Sequence, residues 1–128
     1  MSTKVEKIKQ FNNIMETFLK EISPLVGTYY KNYYSKLIKV NSIMPIKKFY
    51  NYVIPYKNKI INKDESYFKE PDNFNEHNLL NENNKDKVFN EMIRLKDVYE
   101  KLNKTSQDSV WMYFQALLVL SEEYNSLN

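Results

Sequence analysis

The side chains best suited to chemistry are five carboxylates and one imidazole in the middle of the chain. They are Asp64, Glu65, Glu70, Asp72, Glu76 and His77. Such a group could hold a divalent cation or serve as general acid and base. The spacing is not that of an EF-hand, and no glycine lies nearby for the sharp turn that such a loop needs. His77 lies among asparagines, where no rigid surroundings would orient it. We therefore expect Asp64 and Glu65 to be helix-terminal charges, and the stretch to hold no metal and perform no catalysis.

The remaining composition excludes most other reaction centres. The chain has no cysteine, which excludes a thiol nucleophile and a thiolate zinc site. One glycine and one histidine exclude a glycine-rich phosphate loop and a multi-histidine metal site. Thr105, Ser106 and Ser109 have no base near them in the sequence, so helix capping explains them. The sequence therefore predicts a protein that is not an enzyme and has no cofactor.

A second kind of chemistry is the recognition of nucleic acid by tyrosines interleaved with lysines. The candidates are Tyr30, Lys31, Tyr34, Lys36, Lys39, Lys47 and Lys48. The rings could stack on bases while the lysines neutralise phosphates, as in sequence-tolerant binding of single strands. The alternative is that the rings belong to the hydrophobic core, with hydroxyls that reach its rim. Lysine outnumbers arginine eighteen to one. Because specific base readout favours arginine, any contact with nucleic acid would be non-specific.

The charge is distributed unevenly along the chain. The formal net charge is only +3, yet residues 1–63 carry +9 and residues 64–128 carry −6. This asymmetry indicates either an anionic partner for the first half or pairing between the two halves.

Apolar residues recur at spacings of three and four, which indicates that helices position these side chains. The stripe of the first helix is Val5, Ile8, Phe11, Met15, Phe18, Leu19 and Ile22. Ser2 or Thr3 would cap it. Ser23-Pro24 would end it, since a residue before proline is disfavoured in the helical region, and would open a second helix.

The second helix would run to about Val40, with Gly27 early in it. Its stripe is Leu25, Val26, Tyr29, Tyr30, Tyr33, Tyr34, Leu37 and Ile38. A third helix would begin at Pro45 and end or kink near Ile54, because Pro55 lacks a backbone donor. It would continue to about Asn62. Asp64-Glu65-Ser66 then resembles a helix cap, with Tyr67-Phe68 anchored on the core.

Residues 70–85 are predicted to form a loose loop, because asparagine clusters and Pro71 favour turns. From Asp86 the helical pattern returns. The stripe Val88, Met92, Leu95, Tyr99 and Leu102 predicts a fourth helix.

The last helix contains an apolar run at residues 110–120 that only Gln115 interrupts. A helix that is hydrophobic all round is buried on all sides. We therefore expect it to be the central helix of the bundle or a seam between subunits. The interface candidates are Trp111, Met112, Tyr113 and Val119.

Together these patterns predict an all-α fold, a compact bundle of about five helices in one domain over residues 1–128, with a loose loop at 70–85. No apolar run reaches the 18 residues from which a membrane span is read. The N-terminus lacks the features of a secretory signal. We therefore expect an intracellular protein.

Two groups of residues also carry a resemblance. The first is Ile54-Pro55-Tyr56, Ile60 and Lys63-Asp64-Glu65-Ser66-Tyr67-Phe68; the second is Leu95-Lys96, Trp111, Tyr113, Gln115 and Leu117. Over roughly residues 45–125 the chain resembles small helical proteins of unassigned function from nucleocytoplasmic large DNA viruses, the giant viruses. The resemblance implies a viral origin and a location in the virion or the cytoplasm of the infected host. It supplies no catalytic residues.

These observations favour a non-enzymatic protein–protein interaction or structural module, with a protein partner or a second copy of the chain as its ligand. The alternative is a non-specific nucleic-acid-binding protein that uses the basic, tyrosine-rich first half.

Overall fold

Helices form at most of the places that the apolar spacing predicts. The computed structural model describes residues 3–69, 84–95 and 98–127, with side chains from Val88 onward in the second range. The α-helices are α1 (Lys4–Val26), α2 (Tyr29–Val40), α3 (Met44–Val53), α4 (Lys57–Ile61), α5 (Ser66–Lys69), α6 (Asn84–Arg94) and α7 (Lys104–Ser126). Short 3-10 helices lie at Ile54–Tyr56 and Tyr99–Lys101. The described residues contain no strand, and the prediction of an all-α bundle is confirmed.

The predicted loop at 70–85 lies mostly outside the described residues. This applies to residues 70–83, which include the candidate chemical residues Glu70, Asp72, Glu76 and His77. Residues 84 and 85 already belong to α6, two residues before the predicted helix start.

Helix α1 begins at a cap that the sequence predicts. Thr3 is the N-cap, and its hydroxyl oxygen accepts a hydrogen bond from the backbone N–H of Glu6 at 3.1 Å. All residues of the predicted stripe are buried except Val5. Val5 is exposed because it lies in the first turn, beyond the edge of the core.

The predicted end of α1 at Ser23-Pro24 is wrong, because the helix continues to Val26 with Pro24 inside it. A proline leaves the carbonyl four residues earlier without its usual donor. That carbonyl belongs to Lys20, and the Ser23 hydroxyl donates to it at 2.9 Å. Gly27, at φ 82°, ends the helix instead of lying inside α2. Such a positive φ is readily available only to glycine.

The core lies between α1, α3 and α7. α1 and α7 each have 23 residues and run antiparallel, since Lys7 pairs with Glu123 at one end and Glu21 with Tyr113 at the other. The rings of Phe18 and Phe49 both meet Phe114 edge to face, at centroid distances of 5.6 and 6.1 Å. Edge-to-face pairs of this kind add to the stabilisation from burial. α7 is therefore the helix around which the others assemble.

Pro55 interrupts the third predicted helix as expected. α3 ends at Val53, a 3-10 turn carries the proline, and α4 follows at once. The predicted cap before Tyr67 also forms, because the Asp64 carboxylate accepts from the backbone N–H of Ser66 at 3.0 Å. That backbone hydrogen bond lowers the pKa of Asp64. Tyr67 behind it is fully buried, which confirms that this turn is anchored on the core.

The prediction that Thr105, Ser106 and Ser109 act as caps is wrong. Asn103 is the N-cap of α7, and its side-chain oxygen accepts from the backbone N–H of Ser106 at 2.8 Å.

The fourth predicted helix, which was expected to reach Leu102, ends at Arg94. Leu95 has a positive φ of 48°, a conformation that a continuous helix does not contain. A 3-10 helix at Tyr99–Lys101 replaces the predicted last turns. Leu95, Tyr99 and Leu102 are nevertheless buried, so the apolar spacing identified core residues although the backbone between them is not one helix.

Arg94 is the single arginine of the chain and lies buried among tyrosines. Its guanidinium lies over the rings of Tyr56 and Tyr67, at 5.4 and 5.0 Å from their centroids. It also donates to the hydroxyl of Tyr52 at 3.3 Å. Desolvated cation–π contacts are stronger than exposed ones, so this cluster fixes the end of α6 against α3 and α5.

α2 packs against the core through partly buried residues and contributes one fully buried side chain. Tyr34 is the only buried residue of α2, and its hydroxyl donates to the amide oxygen of Asn12 on α1 at 2.7 Å. Asn12 in turn donates to the carbonyl of Ser42 at 3.0 Å. Burial raises the pKa of Tyr34 well above its usual value, so the hydroxyl stays a donor.

Candidate protein-binding surface

The last helix was predicted to be buried on all sides. Within this chain, α7 is buried on one side only. Its buried residues are Val110, Trp111, Phe114, Leu117, Leu118, Leu120, Ser121 and Tyr124. On the opposite side, Met112 is 69% exposed and Val119 is 52% exposed. Residues seven apart lie on the same face of a helix. α7 therefore presents an apolar stripe to the surface of this chain.

A shallow groove of about 580 Å³ runs beside this stripe, between α1 and α7. Its lining residues are Gln10, Asn13 and Ile14 from α1 and Gln115, Ala116, Val119 and Leu120 from α7. Ala116 is the only alanine of the chain, and its methyl group leaves room between the helices. Carboxylate, ammonium and imidazole groups are absent from this lining. The groove offers apolar surface and side-chain amides to a ligand.

Charged pairs close both ends of the stripe. Lys7 Nζ lies 2.9 Å from a carboxylate oxygen of Glu123, and Lys104 Nζ lies 2.8 Å from one of Asp108. Near the second pair, the hydroxyl of Tyr113 donates to Glu21 at 2.5 Å, and this bond raises the pKa of Tyr113 to about 12. The apolar centre thus has a polar rim, which is the usual composition of a protein–protein interface.

Gln115, the polar interruption in the last helix, has a structural partner. Its amide nitrogen donates to the carbonyl oxygens of Ile60 and Ile61 at 3.1 and 3.3 Å. The carbonyl of Ile60 also accepts from the backbone N–H of Lys63 at 3.3 Å, so Gln115 adds to the hydrogen bonds at the end of α4. Ile61 is half exposed beside it and extends the apolar surface around α7.

The structure keeps two of the four predicted interface residues on the surface. Met112 and Val119 are exposed, whereas Trp111 is 3% exposed and its indole N–H donates to the hydroxyl of Tyr99 at 2.9 Å. Trp111 is therefore a core residue, which corrects its place among the interface candidates. Tyr113 is half-buried against Phe18 and is engaged by Glu21.

The sequence analysis missed the α1 side of the groove. Ile14 lies next to Met15 but off the predicted apolar stripe, and it was not singled out. An isoleucine beside an already complete stripe, together with the single alanine at 116, is the signal that could have identified the groove.

The predicted nucleic-acid-binding residues do not form one aromatic surface. Tyr34 is buried, and Tyr30 is half-buried, with a pKa that burial and then the charge of Glu91 raise. The Tyr34 ring is therefore not accessible to a base, which corrects that part of the prediction, and only part of the Tyr30 ring is accessible. Lys36, Lys39 and Lys47 are exposed, and Lys31 and Lys48 are half-buried.

A second groove, of about 380 Å³, lies where α1 meets α2. Leu25 and Tyr29 line it with exposed apolar surface, and Lys101 contributes an ammonium group. Its lining is more polar in character than that of the groove between α1 and α7, so it is the weaker candidate for a hydrophobic ligand.

Two further properties concern the described part of the chain. Within it, no three His, Cys, Asp or Glu side chains lie together in a way that could hold a metal ion. No described helix combines the length and the apolar character needed to cross a bilayer.

Comparisons with protein-family models, with curated proteins and with solved structures find no match to this chain. Fold and surface define the class as an all-α bundle with an apolar groove between two antiparallel 23-residue helices. The resemblance to giant-virus proteins stays a prediction.

Proposed function

We propose that the protein is a non-enzymatic interaction module that binds an amphipathic helix of a protein partner along the groove between α1 and α7. The observation that carries this proposal is the exposure of Met112 and Val119 on the helix that otherwise forms the centre of the core. Amphipathic helices bind in this way, by placing their apolar face in a hydrophobic groove.

The energetics favour a ligand at this place. Full burial of a side chain such as methionine or valine is worth about 1.5–3 kcal/mol. A partner helix that covers Met112, Val119 and Ile14 together would recover part of that for each side chain. The pair of Lys104 with Asp108 is exposed and the pair of Lys7 with Glu123 is partly buried; both lie at the rim, where exposed charged pairs contribute little to affinity.

The residues that line the groove support binding without catalysis. Gln10, Asn13 and Gln115 contribute amides, which neither donate nor accept a proton near neutral pH. The amide nitrogen of Gln115 is already used by the end of α4. General acid–base or nucleophilic chemistry needs titratable or nucleophilic groups, and this lining offers neither.

The viral origin, and the location in virion or host cytoplasm, that the resemblance implies are part of the same proposal. An interaction module of this size fits a viral structural or assembly role. The support for this step is the resemblance alone.

The proposal is tested by quantitative co-purification of tagged protein from its native source, with wild type, Val119→Glu and Val40→Glu compared. Val40 is 82% exposed at the end of α2 and does not line the groove. The control therefore places the same charge on an exposed valine outside the groove. We expect Val119→Glu to lose protein partners that wild type and Val40→Glu retain. Equal recovery by all three would contradict the proposal.

Nuclease treatment of the same samples separates the alternative function. The alternative has Lys36, Lys39 and Lys47 as its exposed cations. Of the two rings that were expected to stack on bases, only part of Tyr30 is accessible. Partners bridged by nucleic acid would disappear with nuclease and weaken steeply with salt. We expect partners at the groove to survive nuclease.

A further inference from the structure

The surface of α7 is nearly symmetric about the midpoint between Gln115 and Ala116. Three residues before that pair lies exposed Met112, and three residues after it lies exposed Val119. Four residues further out on each side lie Asp108 and Glu123, and each has its own lysine partner. Along α7 the stripe therefore has an acidic residue at each end, an apolar residue inside each of these, and the pair of Gln115 and Ala116 at the centre.

We infer that the helix bound at this face is α7 of a second copy of the chain, antiparallel to the first, with a twofold axis between Gln115 and Ala116. The inference rests on the proposed function and names its partner. A twofold interface requires that a surface be complementary to itself after reversal. In this register, Met112 lies against Val119 of the second copy, and this contact occurs twice in the dimer, once on each side of the axis.

The residues at the centre permit the approach of two helices. Packed helices lie about 8–10 Å apart, depending on the side chains at the contact. Ala116 is the smallest side chain that the stripe contains and lies next to the axis. The amide of Gln115 is turned toward the end of α4 by its bonds to Ile60 and Ile61, so it does not stand between the helices.

In the antiparallel arrangement the charges at each end cancel, because each carboxylate brings its own lysine. Asp108 of one copy faces Glu123 of the other, but Lys104 and Lys7 accompany these carboxylates at 2.8 and 2.9 Å. Each end therefore brings together two lysines and two carboxylates, which can exchange partners across the interface. A parallel pairing would place Asp108 against Asp108 of the second copy. Met112 would then lie against Met112, and Val119 against Val119.

Cysteine crosslinking tests this register, since the chain has no cysteine of its own. The double variant Met112→Cys/Val119→Cys should form a covalent dimer under mild oxidation, because residue 112 of one copy faces residue 119 of the other. Each single variant should not, because equivalent residues would lie about 10.5 Å apart along the axis. A disulfide needs Cα atoms within about 7 Å. The control Asn32→Cys/Lys39→Cys has the same spacing on α2 and should stay monomeric under the oxidant.

Light scattering over a concentration series gives the second readout. We expect wild type and Val40→Glu to approach twice the chain mass of 15.5 kDa, and Val119→Glu to need about tenfold or more protein to reach the same mass. Crosslinking of the single variants instead of the double one would overturn the antiparallel register. Wild type at 15.5 kDa throughout, with partners from the native source still lost in Val119→Glu, would overturn the second copy as ligand and leave the proposed function standing.

Discussion

α7 and α2 are both rich in apolar and aromatic residues, yet the structure uses them in opposite ways. α7 buries eight residues and meets α1, α3 and α4, whereas α2 buries only Tyr34 and has α1 as its principal neighbour among the described elements. Composition therefore does not tell a central helix from a peripheral one. A central helix differs from a peripheral one in the number of neighbouring helices that cover it.

The exposed valines of the two helices show the same difference. Val119 lies beside an apolar groove, while Val40 stands at the end of α2 with 82% of its surface exposed. Isolated exposed apolar residues are normal on protein surfaces, and only contiguous ones indicate a binding surface. The groove, and not exposure alone, distinguishes α7.

The largest expected effect comes from truncation in the centre of α7. Phe114→Ala should reduce the free energy of unfolding by about 3–5 kcal/mol, because it leaves a cavity among the rings of Phe18, Phe49 and Tyr67. Urea denaturation followed by circular dichroism measures this. The control on α2 is Tyr29→Ala, an exposed ring whose loss should change stability by no more than about 0.5 kcal/mol. Similar losses for both variants would contradict the division into a central and a peripheral helix.

A smaller effect is expected at the one fully buried side chain of α2. Tyr34→Phe removes the hydroxyl that donates to Asn12, and should cost about 0.5–1.5 kcal/mol, the usual net value of a hydrogen bond. Tyr29→Phe is the matched control, since that tyrosine is exposed. Thermal unfolding of both variants makes the comparison. A Tyr34→Phe variant as stable as wild type would show that the bond to Asn12 does not stabilise the position of α2.

Much of the fold could be predicted from the sequence, because helical spacing depends on local pattern. The cap at Thr3 and the break at Pro55 follow from residues within a few positions of each other. The end of α1 could not be predicted in the same way. It depends on whether the Ser23 hydroxyl takes over the carbonyl that Pro24 leaves, and a serine before proline is equally suited to end a helix.

The candidate surface was only half predictable for a related reason. The sequence identifies α7 as unusually apolar, but not which of its faces lacks a neighbour. Trp111 and Met112 are adjacent in sequence, and the tertiary arrangement buries one and exposes the other. The same holds for the tyrosines of α2, where the bond to Asn12 turns Tyr34 inward.

Methyl NMR of methionine tests the central claim most directly, because Met112 is the exposed methionine of the α7 stripe while Met44 lies on α3 and Met15 and Met92 are buried. In a dilution series of 13C-methyl-labelled protein, with Met112→Leu for assignment, we expect the Met112 resonance to move with concentration and those of Met15, Met44 and Met92 to stay in place. A Met112 resonance that is constant from dilute to concentrated protein, while the mass in solution doubles, would contradict the account by placing the interface elsewhere.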